Sequence, residues 1–501
     1  MKTLKFLVTA LLVFFLSTSC SEDYLNTSFK GGIDEETVDY LLENNPDQVI
    51  DAYVRAIYSY MVEAYFRPGQ DAHDIFTYMS ILHAADMTAQ DMVQAAEHWF
   101  NYDYDFSNRL FNYRRTTSHW TILYTMIAKA NAIVNMFEEE PTNPTAAAGL
   151  GQAYAIRGLA YYYLIQLFQK STTEDPSILD MPAVPLRFAD AENIPEPERT
   201  NLTGRNTIKR IHEQIEKDMT NAIRLLEGYR RPYKYYIDQN VAKGIFARYY
   251  LLTGQWAKAE TTAREAHASY SIMSPASLHD GFMDLENSEW MWGFNHTTET
   301  QTTYASFFSM VSNIAQGYAG IGYAPRMIDA ALYDLIPASD ERKTLFNDEV
   351  GYPTPDGKYL RARDQPYANL KFGDKGDWTM DYVYMRAAEM VLIEAEALAH
   401  QEKNMEAATA LKKLMSNRDP GWKRTSVSVE DVFTQRRIEL WGEGFGFFDL
   451  KRLHKGVDRD YPGSNHRVKL VVPPDDVSWV YQIPNVEIQE NPLIPASANN
   501  P

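Results

Sequence analysis

Apolar residues recur every three or four positions along much of the chain, which is the spacing of one face of an α-helix. This periodicity predicts helices over residues 47–65, 120–137, 153–168, 207–226, 241–252, 256–268, 384–399, 405–416 and 429–441. Short linkers join several of these helices, and Thr253-Gly254-Gln255 separates the clearest pair. The pattern therefore predicts a mainly α-helical fold built from helix–turn–helix units.

The pair at residues 242–259 is similar to a tetratricopeptide unit, because Gly254 ends its first helix and Trp256 opens its second. Such units bury their apolar faces against neighbouring units. The pairs share no single period, so we expect several of them in one compact body rather than in an open solenoid. Long irregular segments, which are often functional, lie between the helices at residues 68–104, 172–205, 287–323 and 354–381. A short strand is expected within residues 282–295.

The first 19 residues have the features of an export signal: a basic start, an apolar stretch and a small-residue end. The apolar stretch is shorter than the ~20 residues that span a bilayer. Cys20 follows directly and is the only cysteine among 501 residues. We therefore predict that Cys20 carries a lipid anchor, with diacylglycerol and palmitate chains. The alternative is a plain secretory signal, since Leu16 lies four positions before Cys20 and lipoboxes usually place Leu three before.

Charge and composition narrow the choice of partners. The net charge of −19 repels phosphate backbones, which excludes nucleic acid as a partner, and disfavours lying flat on an anionic membrane. Aromatic residues make up 13% of the chain, and 33 of them are tyrosines, whose rings combine an apolar face with a polar tip. Surfaces of this kind suit carbohydrate, although we expect most of these tyrosines to pack between helices.

The sequence lacks the common catalytic signatures H-E-x-x-H, G-x-S-x-G and the P-loop. Gly320-Ile321-Gly322 is a fragment of a dinucleotide-binding motif, but Pro325 occupies its third glycine position, so a turn is expected there. One cysteine and scattered histidines predict neither a metal cluster nor a cofactor. Glycoside hydrolysis requires only two suitably placed carboxylates, and the 67 acidic residues leave that possibility open.

Two clusters in the irregular segments are candidates for ligand binding, because each combines aromatic rings with amide or acidic side chains. The first is residues 98–104, in which we select Trp99, Asn101 and Tyr102. The second includes Phe307, Asn313 and Gln316, and in it we select Tyr304, Phe308 and Tyr318. The competing interpretation is that these side chains simply pack their loops onto the helices.

Ordered motifs run from Cys20 to the C-terminus. They are the acidic Ser21-Glu22-Asp23 followed by Tyr24-Leu25-Asn26, the helix at 155–164 with Pro185-Leu186 after it, and the segments 385–397, 436–452 and 483–492. In this order they resemble the SusD/RagB family of outer-membrane nutrient-binding lipoproteins of Bacteroidetes. The chain departs from the family pattern at Gln169, where the family has Gly, and at Gly446, where it has Arg.

These motifs place charged residues among apolar helical positions, which predicts ion pairs buried between helices rather than catalytic groups. The residues concerned are Arg386, Glu389, Glu394, Glu396, Arg436, Glu439, Glu443, Asp449 and Arg452.

The resemblance implies a SusD-like helical fold with tetratricopeptide-like helix pairs, long loops and few short strands. It would form one domain over residues 20–501, with an N-terminal part to about residue 280 and a C-terminal part after it. The implied function is binding of an oligosaccharide or another small polymer without bond cleavage. The implied partner is a SusC-like TonB-dependent transporter, and the implied location is the extracellular side of the outer membrane. A peptide-binding, RagB-like protein and a surface glycoside hydrolase are the alternatives.

Overall fold

The structure is a computed structural model, and it describes residues 41, 44–63, 72–170, 176–188 and 203–501. The predicted export signal, Cys20 and the acidic tripeptide behind it lie outside the described residues. The chain divides into two compact units, residues 1–49 and 50–501. Apart from the first turn of helix α1, every element below belongs to the second unit.

Helices dominate the described residues. In the N-terminal half they are α1 (Pro46–Val62), α2 (Tyr78–Thr88), α3 (Asn101–Tyr104), α4 (Arg114–Val134), α5 (Pro144–Phe168), α6 (Ile208–Leu225), α7 (Gln239–Leu252) and α8 (Trp256–His267). In the C-terminal half they are α9 (Phe307–Val311), α10 (Ala330–Asp334), α11 (Ala387–His400), α12 (Asn404–Met415), α13 (Val429–Glu439), α14 (Gly446–Arg452) and α15 (Asn485–Glu490). None of the helices in these described ranges is long and apolar enough to cross a membrane.

The described residues contain three short antiparallel strand pairs, and the first two of these join distant parts of the chain. Their strands are β1 (Met92–Gln94) with β3 (Arg326–Ile328), β2 (Trp290–Phe294) with β4 (Tyr382–Arg386), and β5 (Val457–Asp458) with β6 (Val471–Val472). The mainly helical fold and the strand expected within residues 282–295 are therefore confirmed.

Each predicted helix is present, but two local predictions were wrong. The helix expected from residue 384 starts at Ala387, because residues 382–386 form β4, which is completely buried against β2. Helix α2 lies in a segment that was predicted to be irregular. All its residues are buried, so it has no polar face and therefore no helical periodicity in its sequence.

The helices pack in a continuous series, α4 on α5, α5 on α6, α6 on α7 and α7 on α8. The series continues from α8 to α11 and α12, although the long loops of residues 268–386 intervene in the sequence. Close approach explains some small residues of this series: a Cβ at Gly244 in α7 would lie 2.4 Å from the sulfur of Met385. The tetratricopeptide-like pair at 242–259 thus packs against a second pair from the C-terminal half.

Buried ion pairs connect the C-terminal elements, which confirms the prediction made from the motifs. Arg386, at the end of β4, donates to Glu439 at 3.0 Å and to Glu443 at 2.7 Å. Arg418 and Arg342 also donate to Glu439, at 3.0 and 3.2 Å. All these side chains are almost inaccessible to solvent. Burial alone would raise the pKa of Glu439, but the charges of the three arginines hold it well below its ordinary value.

The same network includes five residues that the motifs did not indicate, which are Arg342, Arg418, Glu289, Asp340 and Lys371. Glu289 pairs with Arg386 and, at 3.0 Å, with Arg418, while Lys371 donates to Glu443 at 2.6 Å.

Two further sets of ion pairs fasten α11 to its neighbours. In the first, Glu396 of α11 pairs with Arg452, which also donates to Asp449 at 2.8 Å. In the second, Glu394 accepts hydrogen bonds from residues on two other helices. Burial alone would raise the pKa of Glu394, but bonds from His267, Arg264 and Lys413 lower it to about 2.

Candidate functional site

The pairing of β1 with β3 brings the two predicted ligand-binding clusters together. Gln94 pairs with Arg326, and the amide of Ala95 donates to the carbonyl of Pro325 at 3.1 Å. The first cluster follows β1 directly in the sequence, and the second cluster precedes β3. The two loops, which are more than 200 residues apart in the chain, therefore lie side by side.

A cleft of about 760 Å³ opens where these loops meet, which is within the size range of small-molecule binding sites. The cleft is lined by Asp74, Glu97, His98, Trp99, Phe100, Asn101, Tyr102, Asp103, Asn108, Tyr113, Arg114, Arg115 and Tyr318. Four of the six side chains selected from the sequence are among these: Trp99, Asn101, Tyr102 and Tyr318.

The first cluster is fixed by one inward-facing ring. Phe100 has a φ of 67°, a left-handed conformation that is strained for this residue type. Its buried ring lies 4.6 Å from His83 and 4.5 Å from the guanidinium of Arg115. This turn leaves Trp99 half-buried at the cleft and Tyr102 62% exposed. The alternation of rings in the sequence thus separates anchoring side chains from side chains available to a ligand.

The second cluster reaches the cleft through Tyr318, and Tyr304 lies beside Tyr318. The ring of Tyr304, 52% exposed, lies 6.0 Å from that of Tyr318. His73 lies between the two clusters: its ring centroid is 5.1 Å from Trp99, 5.1 Å from Tyr304 and 5.8 Å from Tyr318. His73 Nδ1 also forms a hydrogen bond with the Tyr318 hydroxyl.

Other residues of the second cluster have structural positions. Phe308 is only 1% exposed and packs in α9 against Phe372 and Tyr382, so it is not accessible to a ligand in this structure. Asn313 is buried as well, and its amide donates to the carbonyl of Arg326 at 2.6 Å. For Phe308, the structure agrees with the competing interpretation, in which the side chain packs its loop onto the helices. The sequence did not indicate this, because a helix of five residues is too short to show a periodic pattern.

Charged groups form the floor of the cleft. Arg115 is buried, and its guanidinium donates to the carboxylates of Asp74 and Asp103, each at 2.9 Å. Arg114, at the edge of the cleft, donates to the other oxygen of Asp74 at 2.7 Å, and its guanidinium lies 5.7 Å from the ring of Trp99. Burial would lower the pKa of Arg115, but the charges of Asp103 and Asp74 raise it, so Arg115 remains protonated.

The side chain of Asn101 is held at both ends. Its oxygen accepts a hydrogen bond from Arg467, and its nitrogen donates to Asp105 at 3.2 Å. The neighbouring imidazole of His98 stacks on Tyr323 at 5.4 Å. Burial, reinforced by the charge of Arg326, lowers the pKa of His98, which therefore presents a neutral ring to the cleft at pH 7.

Sequence reasoning missed the charged floor and His73. One signal was present: Arg114 and Arg115 open helix α4, where the helix dipole disfavours positive charge. Two arginines at such a position indicate acidic partners elsewhere in the fold. The predicted helix began at Trp120, so this signal was not used. Within the described ranges, no three His, Cys, Asp or Glu side chains are grouped so that they could hold a metal ion.

Comparison with known proteins identifies related families and folds. The family profile described as "Starch-binding associating with outer membrane" matches residues 41–251, and the one described as "SusD family" matches residues 346–499. No curated protein sequence matches the chain.

Solved structures share the fold. A SusD-like carbohydrate binding protein from Bacteroides vulgatus ATCC 8482 is 24% identical, with a TM-score of 0.77 over 89% of this chain and 97% of that chain. A laminarin binding SusD-like protein is 18% identical, with a TM-score of 0.65 over 88% and 97% of the two chains. Surface glycan-binding protein A from Bacteroides thetaiotaomicron is 14% identical, with a TM-score of 0.66 over 91% and 98%. The ordered motifs, the helical architecture and both profiles agree: the chain belongs to the SusD/RagB family.

Proposed function

We propose that this protein captures an oligosaccharide in the cleft and delivers it, without breaking a bond, to a SusC-like TonB-dependent transporter of the outer membrane. The observation that carries the proposal is the meeting of two aromatic loops at one cleft. Rings of Trp99, Tyr102, Tyr304 and Tyr318 surround or adjoin it, and such rings stack on the C–H faces of sugars. The matching profiles, one of them for starch-binding proteins associated with the outer membrane, support the same function.

The cleft favours binding over catalysis. Both of its buried carboxylates, Asp74 and Asp103, accept hydrogen bonds from the same guanidinium, that of Arg115. A glycosidase needs one carboxyl group that gives up a proton and another that attacks or activates water. Each oxygen of these two carboxylates already accepts a hydrogen bond from Arg114, Arg115 or Asn108, which opposes either role even though burial raises the pKa of Asp103. The hydrolase alternative is tested directly: the purified protein should release no reducing ends from a polysaccharide that it binds.

The open form of the cleft supports a glycan rather than a peptide as ligand. Tyr102 and Tyr304 present exposed rings beside it, which suits a polymer that lies across a surface. A peptide carrier closer to the RagB branch would favour a deep enclosed pocket with few exposed rings.

The central test is the substitution Trp99→Ala. Loss of the ring should weaken the affinity for a polysaccharide that the unmodified protein binds by at least about tenfold, which corresponds to about 1.4 kcal/mol. Trp422→Ala is a matched control, because Trp422 is also half-buried and has a guanidinium, that of Arg424, 5.7 Å from its ring. Affinity gels and calorimetry measure both variants. Equal affinities for Trp99→Ala, Trp422→Ala and the unmodified protein would refute the assignment of the cleft.

The membrane attachment rests on Cys20 and the export signal before it. A diacylglycerol group there would hold the binding domain beside its transporter on the outside of the cell. We expect a Cys20→Ala variant to leave the membrane fraction and appear in the soluble fraction. Recovery of that variant in the membrane fraction would contradict lipid attachment at this residue.

A further inference from the structure

A second pocket lies in the segment that leads into strand β2. All its lining residues fall within residues 273–290, and none of them lines the cleft described above. The pocket encloses about 210 Å³, which is below the range of sites that bind drug-sized ligands. Its occupant would therefore be a small molecule or a single unit of a larger one.

Acidic side chains line this pocket. Asp280, Asp284 and Glu286 are all exposed, and none of them forms an ion pair with another of the described residues. The ammonium group of Lys234 lies close by, where it donates to two backbone carbonyls of the same segment at 2.8 and 2.9 Å. Three carboxylates thus carry more negative charge than this one ammonium group can balance, and the pocket favours a positively charged occupant.

A buried hydrogen-bond donor also belongs to the pocket. Trp290 lines it and is only 1% exposed, and its indole N–H has no partner among the described residues. Trp292, two positions further along β2, is buried as well, but its indole N–H donates to the carbonyl of Tyr235 at 2.9 Å. Buried donors are almost always paired in folded proteins. The unpaired N–H of Trp290 therefore indicates that the occupant supplies an acceptor.

The two features together argue against simpler occupants. A metal ion is poorly suited, because no acidic side chains of the described ranges are grouped closely enough to hold one. A neutral sugar would leave the charge of the carboxylates unbalanced. An alkyl amine would balance that charge but would leave the indole N–H unpaired.

We infer that this pocket binds a protonated amine that carries oxygen acceptors beside its charge, as a single amino sugar does. The ammonium group contacts the carboxylates of Asp284 and Glu286, and a hydroxyl oxygen accepts the hydrogen bond from Trp290. Met283 is half-buried in the lining, and its flexible thioether chain can shift to let that oxygen reach the N–H. The site is separate from the cleft and adds a second binding activity to the proposed function.

Four probes separate charge from hydrogen bonding. Glucosamine has both an ammonium group and hydroxyl oxygens at about pH 6, below the usual range of amine pKa values. Glucose has the oxygens without the charge, butylamine has the charge without the oxygens, and calcium chloride supplies a metal ion. Calorimetry on the full chain measures each. We expect glucosamine to bind at least about tenfold more tightly than glucose or butylamine.

Substitutions of the acidic residues test the charge. Asp284→Asn and Glu286→Gln should each weaken the affinity for glucosamine by about two- to fivefold, as expected for exposed charges. Glu213→Gln is the control, because Glu213 is an exposed acidic residue on α6 and does not line the pocket. It should leave the affinity unchanged.

A matched pair of tryptophan substitutions tests the donor. Trp290→Phe keeps an aromatic ring but removes the N–H, and it should weaken the affinity for glucosamine by about fivefold. Trp292→Phe should leave the affinity unchanged and lower the Tm more than Trp290→Phe does, because it leaves the carbonyl of Tyr235 without its donor. Thermal unfolding measures this difference and confirms that each variant is folded.

The outcomes keep this inference separate from the proposed function. Binding of glucose or butylamine as tight as that of glucosamine would overturn it, and so would binding of calcium alone. Equal affinities for Asp284→Asn, Glu286→Gln and Glu213→Gln would also overturn it. Trp99→Ala should leave the affinity for glucosamine unchanged, and a loss there would assign glucosamine to the cleft instead. Retardation by a polysaccharide without any binding of glucosamine would overturn only the second site.

Discussion

Glu439→Ala should destabilise the protein strongly, because Glu439 lies at the centre of the buried ion network. The substitution removes four hydrogen bonds donated by three guanidinium groups, those of Arg342, Arg386 and Arg418. It also leaves the network with an excess positive charge in a region that water does not reach. Ligand affinity of the folded variant should not change, since no residue of this network lines the cleft.

The structure sets the size of the effect. Four positive groups face four negative ones in the intact network: Arg342, Lys371, Arg386 and Arg418 against Glu289, Asp340, Glu439 and Glu443. The lost bonds, at about 1.5–3 kcal/mol each, would sum to about 6–12 kcal/mol. The remaining acids still pair with the same guanidiniums, so a loss of about 3–5 kcal/mol, typical for one partner of a buried pair, is expected.

Thermal unfolding measures this loss. An unfolding entropy of about 2.1 cal/mol/K per residue over ~450 folded residues makes 1 kcal/mol equal to about 1 °C in Tm. Glu439→Ala should therefore lower Tm by about 3–5 °C. Glu140→Ala is the control, because Glu140 forms an exposed pair with Arg224, and exposed pairs contribute about 0–1 kcal/mol. Equal shifts for Glu439→Ala and Glu140→Ala would refute the reasoning.

Two further substitutions test other parts of the scaffold. The pKa of Glu394 is lower in the folded state than in the unfolded state, so its ionised carboxylate stabilises the fold above pH ~4.5. This stabilisation is lost as the pH falls towards about 2. Glu394→Gln should lower the free energy of unfolding by about 2 kcal/mol at pH 7, after allowance for solvent screening of its exposed basic partners. Urea unfolding should show that the variant and the unmodified protein become more similar in stability below pH ~4.5. Gly444→Ala should cost about 2–4 kcal/mol, since Gly444 has a φ of 92° and a Cβ there would lie 2.5 Å from that of Leu82. Gly228→Ala, with a φ of 72° but open space around it, should cost only about 1 kcal/mol, and similar Tm values for the two alanine variants would contradict the steric argument.

The helices could be predicted because most of them have one face against the core and one in water. Helix α6 is an example, with buried Ile208, Ile211 and Ile215 in line. Helix α2 could not be predicted, since burial on all sides removes the periodicity that identifies a helix. Residues 384–386 fall within the predicted helix because apolar residues stand on both sides of Arg386 and no glycine or proline separates β4 from α11.

The candidate site was predictable in part. The aromatic side chains of both loops were visible as clusters, but only the pairing of β1 with β3 shows that they form one site. Long-range pairing of three-residue strands leaves almost no signal in a single sequence. The role of Asp74 was hidden for a similar reason, because its partners Arg114 and Arg115 lie some 40 residues further along the chain.

The departure at Gly446 also has a local explanation. A Cβ at Gly446 would lie 2.5 Å from the Cβ of Ala89, so the Arg of the family motif would not fit here. The amides of Gly444 and Gly446 donate instead to the carboxylate of Asp86, at 2.7 and 3.1 Å.

The pairing of β1 with β3 also sets the order in which the protein can become functional. Its partner residues, such as Gln94 and Arg326, are more than 230 positions apart, whereas the helices α4 to α8 pack on sequence neighbours. Closing so long a loop has a large entropic cost, so we expect the local helix series to assemble first and the cleft to close later. A newly synthesised chain would then possess a nearly complete scaffold before it could hold any ligand. Ligand binding would therefore report that both halves of the molecule have finished folding.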